Sequence, residues 1–382
     1  MRLEADWLAT GPTPRVLGLL DAGGHQALAV GGCVRNALLG APVSDIDIAT
    51  DARPDRVAAL AEAAGLRVVP TGLDHGTVTL VADGRPHEVT TFRRDVATDG
   101  RHARVAFSDD VAQDAARRDF TMNALYARAD GTVVDPLGGL PDLRARRVRF
   151  IGAPADRIRE DYLRILRFFR FTAWYGDAGL DAEGLAACAA HQDGLDRLSR
   201  ERVGHEMRKL LAAPDPAPCI AAMDRCGILA RVLPGADPAA LAPLIHLEGG
   251  APADWLRRMA ALGGAVDGLR LSRAEARDLA TLSEAARDTG RGPFALGHLL
   301  GAARGGDALM VRAALTGLAP DPDMVRHLAA GAAADVPLAA ADLMPDLRGP
   351  ALGAALDRAR AAWLASGGTL DREVLVRIAR ET

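Results

Sequence analysis

One stretch, Leu28 to Thr50, constrains the fold more than any other. It holds a short apolar run, the pair Gly31-Gly32, a helical segment carrying Arg35, and S-D-I-D-I-A-T from Ser44. The apolar run predicts a buried strand, and the two glycines let the backbone turn tightly against an anion. The helix that follows points its amide end back at that anion, with Arg35 alongside. A second strand is expected from about Ser44. It presents Asp45 and Asp47 on one side, because side chains two apart on a strand share a face. Two carboxylates so close, with no basic partner between them, repel unless a divalent cation sits between them and a substrate. Strand, glycine turn, helix and a D-x-D strand together suit a nucleoside triphosphate and its magnesium ions. The alternative for Asp45 and Asp47 is an exposed strand end. A second D-x-D, Asp321 and Asp323 around Pro322, has no glycine turn beside it and reads as a loop.

The rest of residues 28 to about 150 mixes strands and helices. Arg53 to Ala64 reads as a helix, while Leu66–Pro70, Gly76–Ala82 and His87–Phe92 read as strands from their β-branched content and bounding glycines. Glu88 falls on the last of these. It either reaches the same metals as Asp45 and Asp47 or is an ordinary strand-edge charge. Arg93 to Arg117 is polar and weakly periodic and reads as a long loop, which inside a compact domain is usually functional or disordered. In A-R-R-D-F-T-M-N-A-L-Y, Arg117, Arg118, Asp119 and Asn123 precede or punctuate an expected apolar helix. Asp135 to Leu143, D-P-L-G-G-L-P-D-L, reads as a hinge that closes the first domain.

From about Asp156 the pattern is helical to the end. R-E-D-Y-L-R-I-L-R-F-F-R-F, Arg159 to Phe171, places Asp161, Arg164, Arg167 and Arg170 at intervals of three as a slowly turning ridge. Its other directions are apolar, so the helix is expected to be buried. The arginines must then meet something anionic, either internal carboxylates or a triphosphate. A carboxylate followed by an arginine offers an acceptor and a fork of donors, which can match a nucleobase edge. Further on, a helix is expected from Ser199 with Arg202 and Glu206 paired, a break at Pro214–Pro218, a capping box at Ser272–Glu275, and a helix start at Gly349-Pro350.

At 382 residues the chain is too long for one compact core and suggests two to four sub-domains. A net charge of −4 excludes a global basic field, so any nucleic-acid contact must come from local arginine clusters. Lys209 is the only lysine, and guanidinium suits bidentate phosphate contact, although genome base composition gives the same bias. Cys33, Cys188, Cys219 and Cys226 lack C-x-x-C spacing and are expected as reduced thiols. The first ten residues lack a signal-peptide core, and no segment is apolar and long enough to span a membrane, so a cytoplasmic location is expected.

The motifs together resemble the bacterial class II tRNA nucleotidyltransferases, the CCA-adding enzymes, with bacterial poly(A) polymerases as near relatives. In order they are G-G-C-V-R at Gly31, D-I-D at Asp45, H-G-T at His75, T-T-F-R at Thr90, R-R-D-F-T-M-N-A-L at Arg117, D-P-L-G-G at Asp135, E-D-Y-L-R at Glu160 and E-R at Glu201. The resemblance covers residues 28 to about 210 well and the C-terminal third loosely. It implies an α+β chain: a small mixed β-sheet head (1–150, catalytic) followed by an all-helical neck (151–215, base recognition) and an all-helical body and tail (216–382, tRNA binding). It implies template-independent addition of CCA to the tRNA 3′ end from CTP and ATP with Mg2+, and no obligate protein partner is evident. Asp45 and Asp47 look like the metal ligands, and Gly31, Gly32 and Arg35 resemble the triphosphate-binding turn. Arg118 and Asp119 match ribose and phosphate contacts supported by Asn123. Asp161 and Arg164 match the pair that reads the incoming base, with Arg167 and Arg170 as further triphosphate or base contacts. The 93–117 segment corresponds to the flexible element tied to the switch from cytidine to adenosine addition. Asn36 departs from the family, which usually has aspartate there. The alternatives are a poly(A) polymerase, a CC-only or A-only enzyme, or a non-catalytic RNA-binding module.

Overall fold

The strand β1, Ala27–Val30, is buried along its whole length, as its A-L-A-V run requires. Around it a computed structural model describes residues 1–73, 76–99, 102–319 and 322–381. His75 of the H-G-T run and Asp321 of the second D-x-D lie outside the described residues. The chain falls into two compact units, Met1–Arg202 and Val203–Thr382.

In the first unit, helices α1 (Asp6–Ala9) and α2 (Pro12–Ala22) precede β1, with Gly11 just before α2 and Gly23 just after it. Then follow α3 (Gly32–Leu38), β2 (Asp47–Thr50), α4 (Pro54–Ala63), β3 (Arg67–Gly72), β4 (Thr77–Ala82) and β5 (Arg85–Thr91). A hairpin of β6 (Arg93–Asp99) and β7 (His102–Phe107) leads to α5 (Val111–Ala116), β8 (Tyr126–Ala127) and β9 (Val133–Val134). The unit closes with α6 (Leu140–Arg144), α7 (Pro154–Glu160), α8 (Leu163–Tyr175), α9 (Ala182–Ala190) and the start of α10 (Arg200–Leu211).

Seven of the described strands form one mixed sheet in the order β3-β4-β5-β2-β1-β8-β9. β2 runs antiparallel to β1, with Val30 opposite Asp47, and parallel to β5, with Asp47 opposite Glu88. Leu28, Val30, Ala49, Phe92, Tyr126 and Ile151 pack into a core against the sheet. Phe120, Phe150, Phe168 and Phe171 form an aromatic cluster that joins the sheet to α8, with ring centroids 5.0–6.4 Å apart.

Five expectations are corrected. β2 begins at Asp47 rather than Ser44, so Asp45 stands on the coil before the strand. The 93–117 segment is a hairpin and a helix rather than a long loop, and it is anchored by Ser108 N–H donating to the Phe92 carbonyl at 2.8 Å. The segment after Arg118 is a short 3-10 turn, Thr121–Asn123, and then strand β8, not a helix. The Asp119 carboxylate draws the Phe120 N–H and the Asn123 side chain to itself, which competes with helical bonding. The helix expected over 159–171 breaks at Asp161. That residue is extended (φ −154), and its Oδ1 accepts from Leu163 N–H at 3.1 Å to start α8. The 135–143 connector is pinned rather than hinged. Asp135 accepts from the Gly139 and Leu140 amides at 2.7 and 2.9 Å, and Gly139 lies against the Thr121 backbone where a Cβ would not fit.

The second unit is helical: α11 (Ala217–Arg225), α12 (Ile228–Val232), α13 (Leu241–Glu248), α14 (Trp255–Leu262), α15 (Arg273–Arg287), α16 (Pro293–Thr316), α17 (Met324–Ala333), α18 (Gly349–Ala365) and α19 (Arg372–Arg380). The Ser272–Glu275 capping box is present, and α18 starts at Gly349 as expected. Arg258, 2% exposed, is held by Glu248 at 2.6 Å. It also donates to the carbonyls of Leu211, Ala213 and Pro214, which closes the end of α10. Arg257 joins Glu248 to Asp307, and Arg304 joins Asp307 to Asp254. Leu343, Ala355, Ala359, Trp363, Leu375 and Ala379 form a separate core under α18 and α19.

Candidate active site

Asp47 enters the sheet at the start of β2, between Val30 of β1 and Glu88 of β5. Neighbouring strands lie about 4.8 Å apart, so in-register Asp47 and Glu88 present their carboxylates close together. His87 and Val89, on the other face of β5, are buried, and His87 Nε2 meets Thr13 Oγ1 at 3.1 Å. That alternation puts Glu88 on the open side with Asp47. Asp45 lies two residues before the strand, is exposed, and accepts from Ser44 Oγ at 3.0 Å. Desolvation raises the Asp47 carboxyl above its ordinary value, and the charges of Glu88 and Asp45 push it further, while Arg118 pulls it back. Among the described residues, no three His, Cys, Asp or Glu side chains already converge as a metal cage. Hard oxygen donors in excess of nearby cations do fit a divalent ion that takes one or two carboxylates and fills its shell from substrate phosphates and water.

The glycine turn faces this acidic edge. Gly31 has φ 73 and ψ −116, a conformation that suits glycine, and its amide donates to the Leu125 carbonyl at 3.0 Å. A Cβ there would lie 3.3 Å from Arg118 Nη1 and 3.7 Å from the Asn123 carbonyl oxygen. Gly32 opens α3. Arg35, expected at the triphosphate, is 6% exposed with its donors turned inward. Nη1 donates to Asn123 Oδ1, and Nε and Nη2 donate to Asn36 Oδ1 at 3.1 and 2.8 Å. Nη2 also donates to Tyr175 Oη at 2.9 Å. Burial lowers the Arg35 pKa, opposed by Tyr175 and Asp119. Arg35 therefore braces the turn from behind, and Asn36, where a carboxylate was expected, serves as a neutral acceptor.

Arg118 Nε donates to Tyr126 Oη at 3.1 Å and Nη2 to Asp114 Oδ2 at 3.0 Å, and its positive charge acts on Asp47. Asp119, 8% exposed, accepts from Phe120 N–H at 2.8 Å, Asn123 Nδ2 at 2.9 Å and Arg167 Nε at 2.8 Å. Burial alone would raise its carboxyl, but Arg167 and these donors hold it below the ordinary range. Asn123 thus links Asp119 to Arg35. Arg35, Arg167 and Arg170 surround the Phe171 ring at 5.2, 5.1 and 4.5 Å.

The base-edge candidates stand at the α7–α8 junction. Asp161 Oδ2 accepts from Arg202 Nη2 at 2.6 Å, the arginine that was expected to pair with Glu206. Arg164 Nη1 donates to Glu160 Oε2 at 2.6 Å and to the Arg157 carbonyl at 3.0 Å, while Nη2 donates to the Arg117 carbonyl at 3.1 Å. Internal carboxylates thus meet two of the ridge arginines, Glu160 on Arg164 and Asp119 on Arg167. The residues that sequence reasoning missed are Asp114, Tyr126, Tyr175 and the Arg202–Asp161 pairing. Asp114 had a signal, a carboxylate three and four residues before Arg117 and Arg118. The tyrosines had none, because strand β8 and the end of α8 reach the turn only through tertiary packing.

Residues 27–149 match the "Poly A polymerase head domain" family and residues 179–240 match "Probable RNA and SrmB- binding site of polymerase A". The chain is 43% identical over 190 residues to "CCA tRNA nucleotidyltransferase 1, mitochondrial" of Homo sapiens, covering 49% of this chain and 44% of that protein. It is 38% identical over 255 residues to the "CCA-adding enzyme" of Geobacillus thermodenitrificans, covering 65% of this chain and 58% of that protein. The matched stretch thus spans about half the length of these curated relatives. The Bacillus stearothermophilus CCA-adding enzyme in complex with CTP superposes with a TM-score of 0.72 at 28% identity, covering 95% of this chain and 94% of that one. The Thermotoga maritima CCA-adding enzyme complexed with tRNA shares the fold, with a TM-score of 0.69 at 19% identity over 99% of this chain and 98% of that one. Nucleotidyltransferases of this kind use a divalent metal. The glycine turn, the D-I-D run and the R-R-D-F-T-M-N-A-L segment all lie inside residues 27–149, the stretch that matches the poly(A) polymerase head domain and is shared with the CCA-adding enzymes named above.

Proposed function

We propose that the protein adds CCA to the 3′ end of tRNA without a template, using CTP and ATP and releasing pyrophosphate. One observation carries the reading. Asp47 lies in register with Glu88 and close to Asp45, its carboxyl is pushed up by desolvation and then by their charge, and the Gly31 turn faces it with Arg118 directed at that turn. The 3′-hydroxyl gives up its proton to water as its oxygen bonds to the α-phosphorus, the bond from that phosphorus to the α–β bridging oxygen breaks, and pyrophosphate leaves with the electron pair. Asp45 and Asp47, with Glu88 as a third catalytic carboxylate beside them, would hold magnesium, which would supply Lewis-acid charge to lower the hydroxyl pKa and screen the leaving group.

The protein groups position the reactants. Gly31 and Gly32 let the backbone approach the triphosphate, and Arg118 places positive charge over it. Asp119, set by Asn123 and Arg167, is placed to accept from a ribose hydroxyl. Asp161 and Arg164 read the base edge, held in place by Arg202 and Glu160, and Arg170 adds positive charge behind them. Arg35 acts through the turn that it braces. Residues 1–150 form the catalytic head, 151–215 the base-reading neck and 216–382 the tRNA-binding body and tail. We place the protein in the cytoplasm with its four cysteines reduced. No helix among the described residues is long and apolar enough to cross a membrane.

Incubating the protein with magnesium, CTP, ATP and a tRNA lacking its 3′ end tests the reading. Products that stop after three added nucleotides support it. A long adenylate ladder would instead make the protein a poly(A) polymerase, and a stop after two or one a partial enzyme.

A further inference from the structure

Asp114 lies on α5 and is 1% exposed. Its Oδ1 accepts from Arg117 Nε at 3.2 Å, and its Oδ2 accepts from Arg118 Nη2 at 3.0 Å and from Tyr126 Oη at 2.8 Å. The Tyr126 hydroxyl in turn accepts from Arg118 Nε at 3.1 Å. Two of the three guanidinium nitrogens of Arg118 are thereby fixed in one plane, and the third, Nη1, is directed at Gly31, 3.3 Å from where a Cβ would stand. The backbone beneath is held as well. Arg157 donates to the Ala116 carbonyl at 3.0 Å and Arg164 to the Arg117 carbonyl at 3.1 Å. Burial alone would raise the Asp114 carboxyl, but Arg118 and Arg117 keep it below its ordinary range and so ionised.

We propose that Asp114 is a positioning residue for the nucleotide triphosphate, aiming the Arg118 guanidinium at the glycine turn. This rests on the function proposed above. Asp114→Asn is nearly isosteric but uncharged, and with one acceptor oxygen in place of two it must set N–H groups against either Arg117 Nε or the Arg118 Nη2–Tyr126 Oη pair, so the guanidinium loses its charged anchor. Tyr126→Phe removes one donor to Asp114 and the acceptor for Arg118 Nε without changing any charge.

The test is steady-state kinetics of the full chain with magnesium, tRNA lacking its 3′ end, and CTP or ATP, accompanied by thermal melts. Asp114→Asn is expected to raise KM for both nucleotides roughly ten-fold, the equivalent of about 1.4 kcal/mol of lost contact. KM for tRNA stays unchanged and kcat falls less than KM rises. Tyr126→Phe moves the same constants by a smaller factor and stands in if the Asn variant does not fold. The proposal is overturned if nucleotide KM stays within two-fold of wild type in the folded variants. It is equally overturned if the loss appears as a lower melting temperature with kcat and tRNA KM moving instead. Asp45→Ala serves as the control for the underlying reading. Normal incorporation by that variant would sink the proposed active site, whereas its loss beside an unchanged Asp114→Asn sinks only the role of Asp114.

Discussion

At the scale of single residues, function and stability pull against each other at Asp47. A raised carboxyl pKa means the folded chain favours the protonated acid, so ionisation above that pKa costs stability in metal-free protein, and the cost disappears as pH falls. Asp47→Asn removes it. In chelator the variant should melt at a higher temperature than wild type, and adding magnesium with CTP should raise the wild-type melting temperature but not the variant's. Nucleotide incorporation should drop on the order of 100-fold or more, since a metal supplies several kcal/mol of transition-state stabilisation. Buried His87, behind Glu88, behaves in the opposite sense to an ion-paired histidine. Desolvation lowers its pKa, so the unfolded chain binds the proton more readily than the folded one. Its contribution to stability is complete above the ordinary value near 6.5 and shrinks as pH falls below that. Melting temperatures between pH 7.5 and 5.5 should therefore fall less steeply in His87→Gln than in wild type.

At the scale of elements, the glycine turn is the tightest constraint. Gly31→Ala forces a side chain into a backbone region that costs about 1–3 kcal/mol and pushes on Arg118. It should raise nucleotide KM at least ten-fold, measured by the same kinetics, without altering tRNA affinity. The turn, β1, β3, β4, β5 and α4 were legible in the sequence because glycine pairs, β-branched runs and helix starts are local signals. Elements whose identity is decided by a partner were not legible. Asp119 and Asn123 look like residues within a helix until Arg35 and Arg167 are seen to hold them. The 159–171 run keeps helical periodicity across the Asp161 break, because three-residue spacing cannot show that Leu163 N–H turns to a side chain. The 93–107 hairpin has little apolar alternation, so periodicity reads it as loop. Among candidate site residues, the acidic doublet and R-R-D motif were legible. The inward turn of Arg35 was not, because it depends on Tyr175, 140 positions away in the chain.

At the scale of the whole molecule, the proposed chemistry belongs to the first unit, and the second unit is stapled by buried and half-buried arginines. Arg312 donates to the carbonyls of Ala285, Ala286, Asp288 and Arg291, and Arg258 closes the end of α10 through Glu248. Arg258→Ala leaves Glu248 facing Arg257 alone and strands several carbonyls, a loss of about 3–5 kcal/mol. Urea unfolding of the variant should show an early transition for residues 203–382 while CTP still protects the first unit; one unshifted transition would refute that. Every proposed role in the head requires metal-bound triphosphate to lie between the glycine turn and the acidic edge of β2. A crystal structure with CTP and magnesium measures this directly. The expected result is phosphate oxygens against the Gly31–Gly32 backbone and Arg118, with the metal on Asp45 and Asp47. Nucleotide bound elsewhere, with both aspartates free of metal, would contradict it.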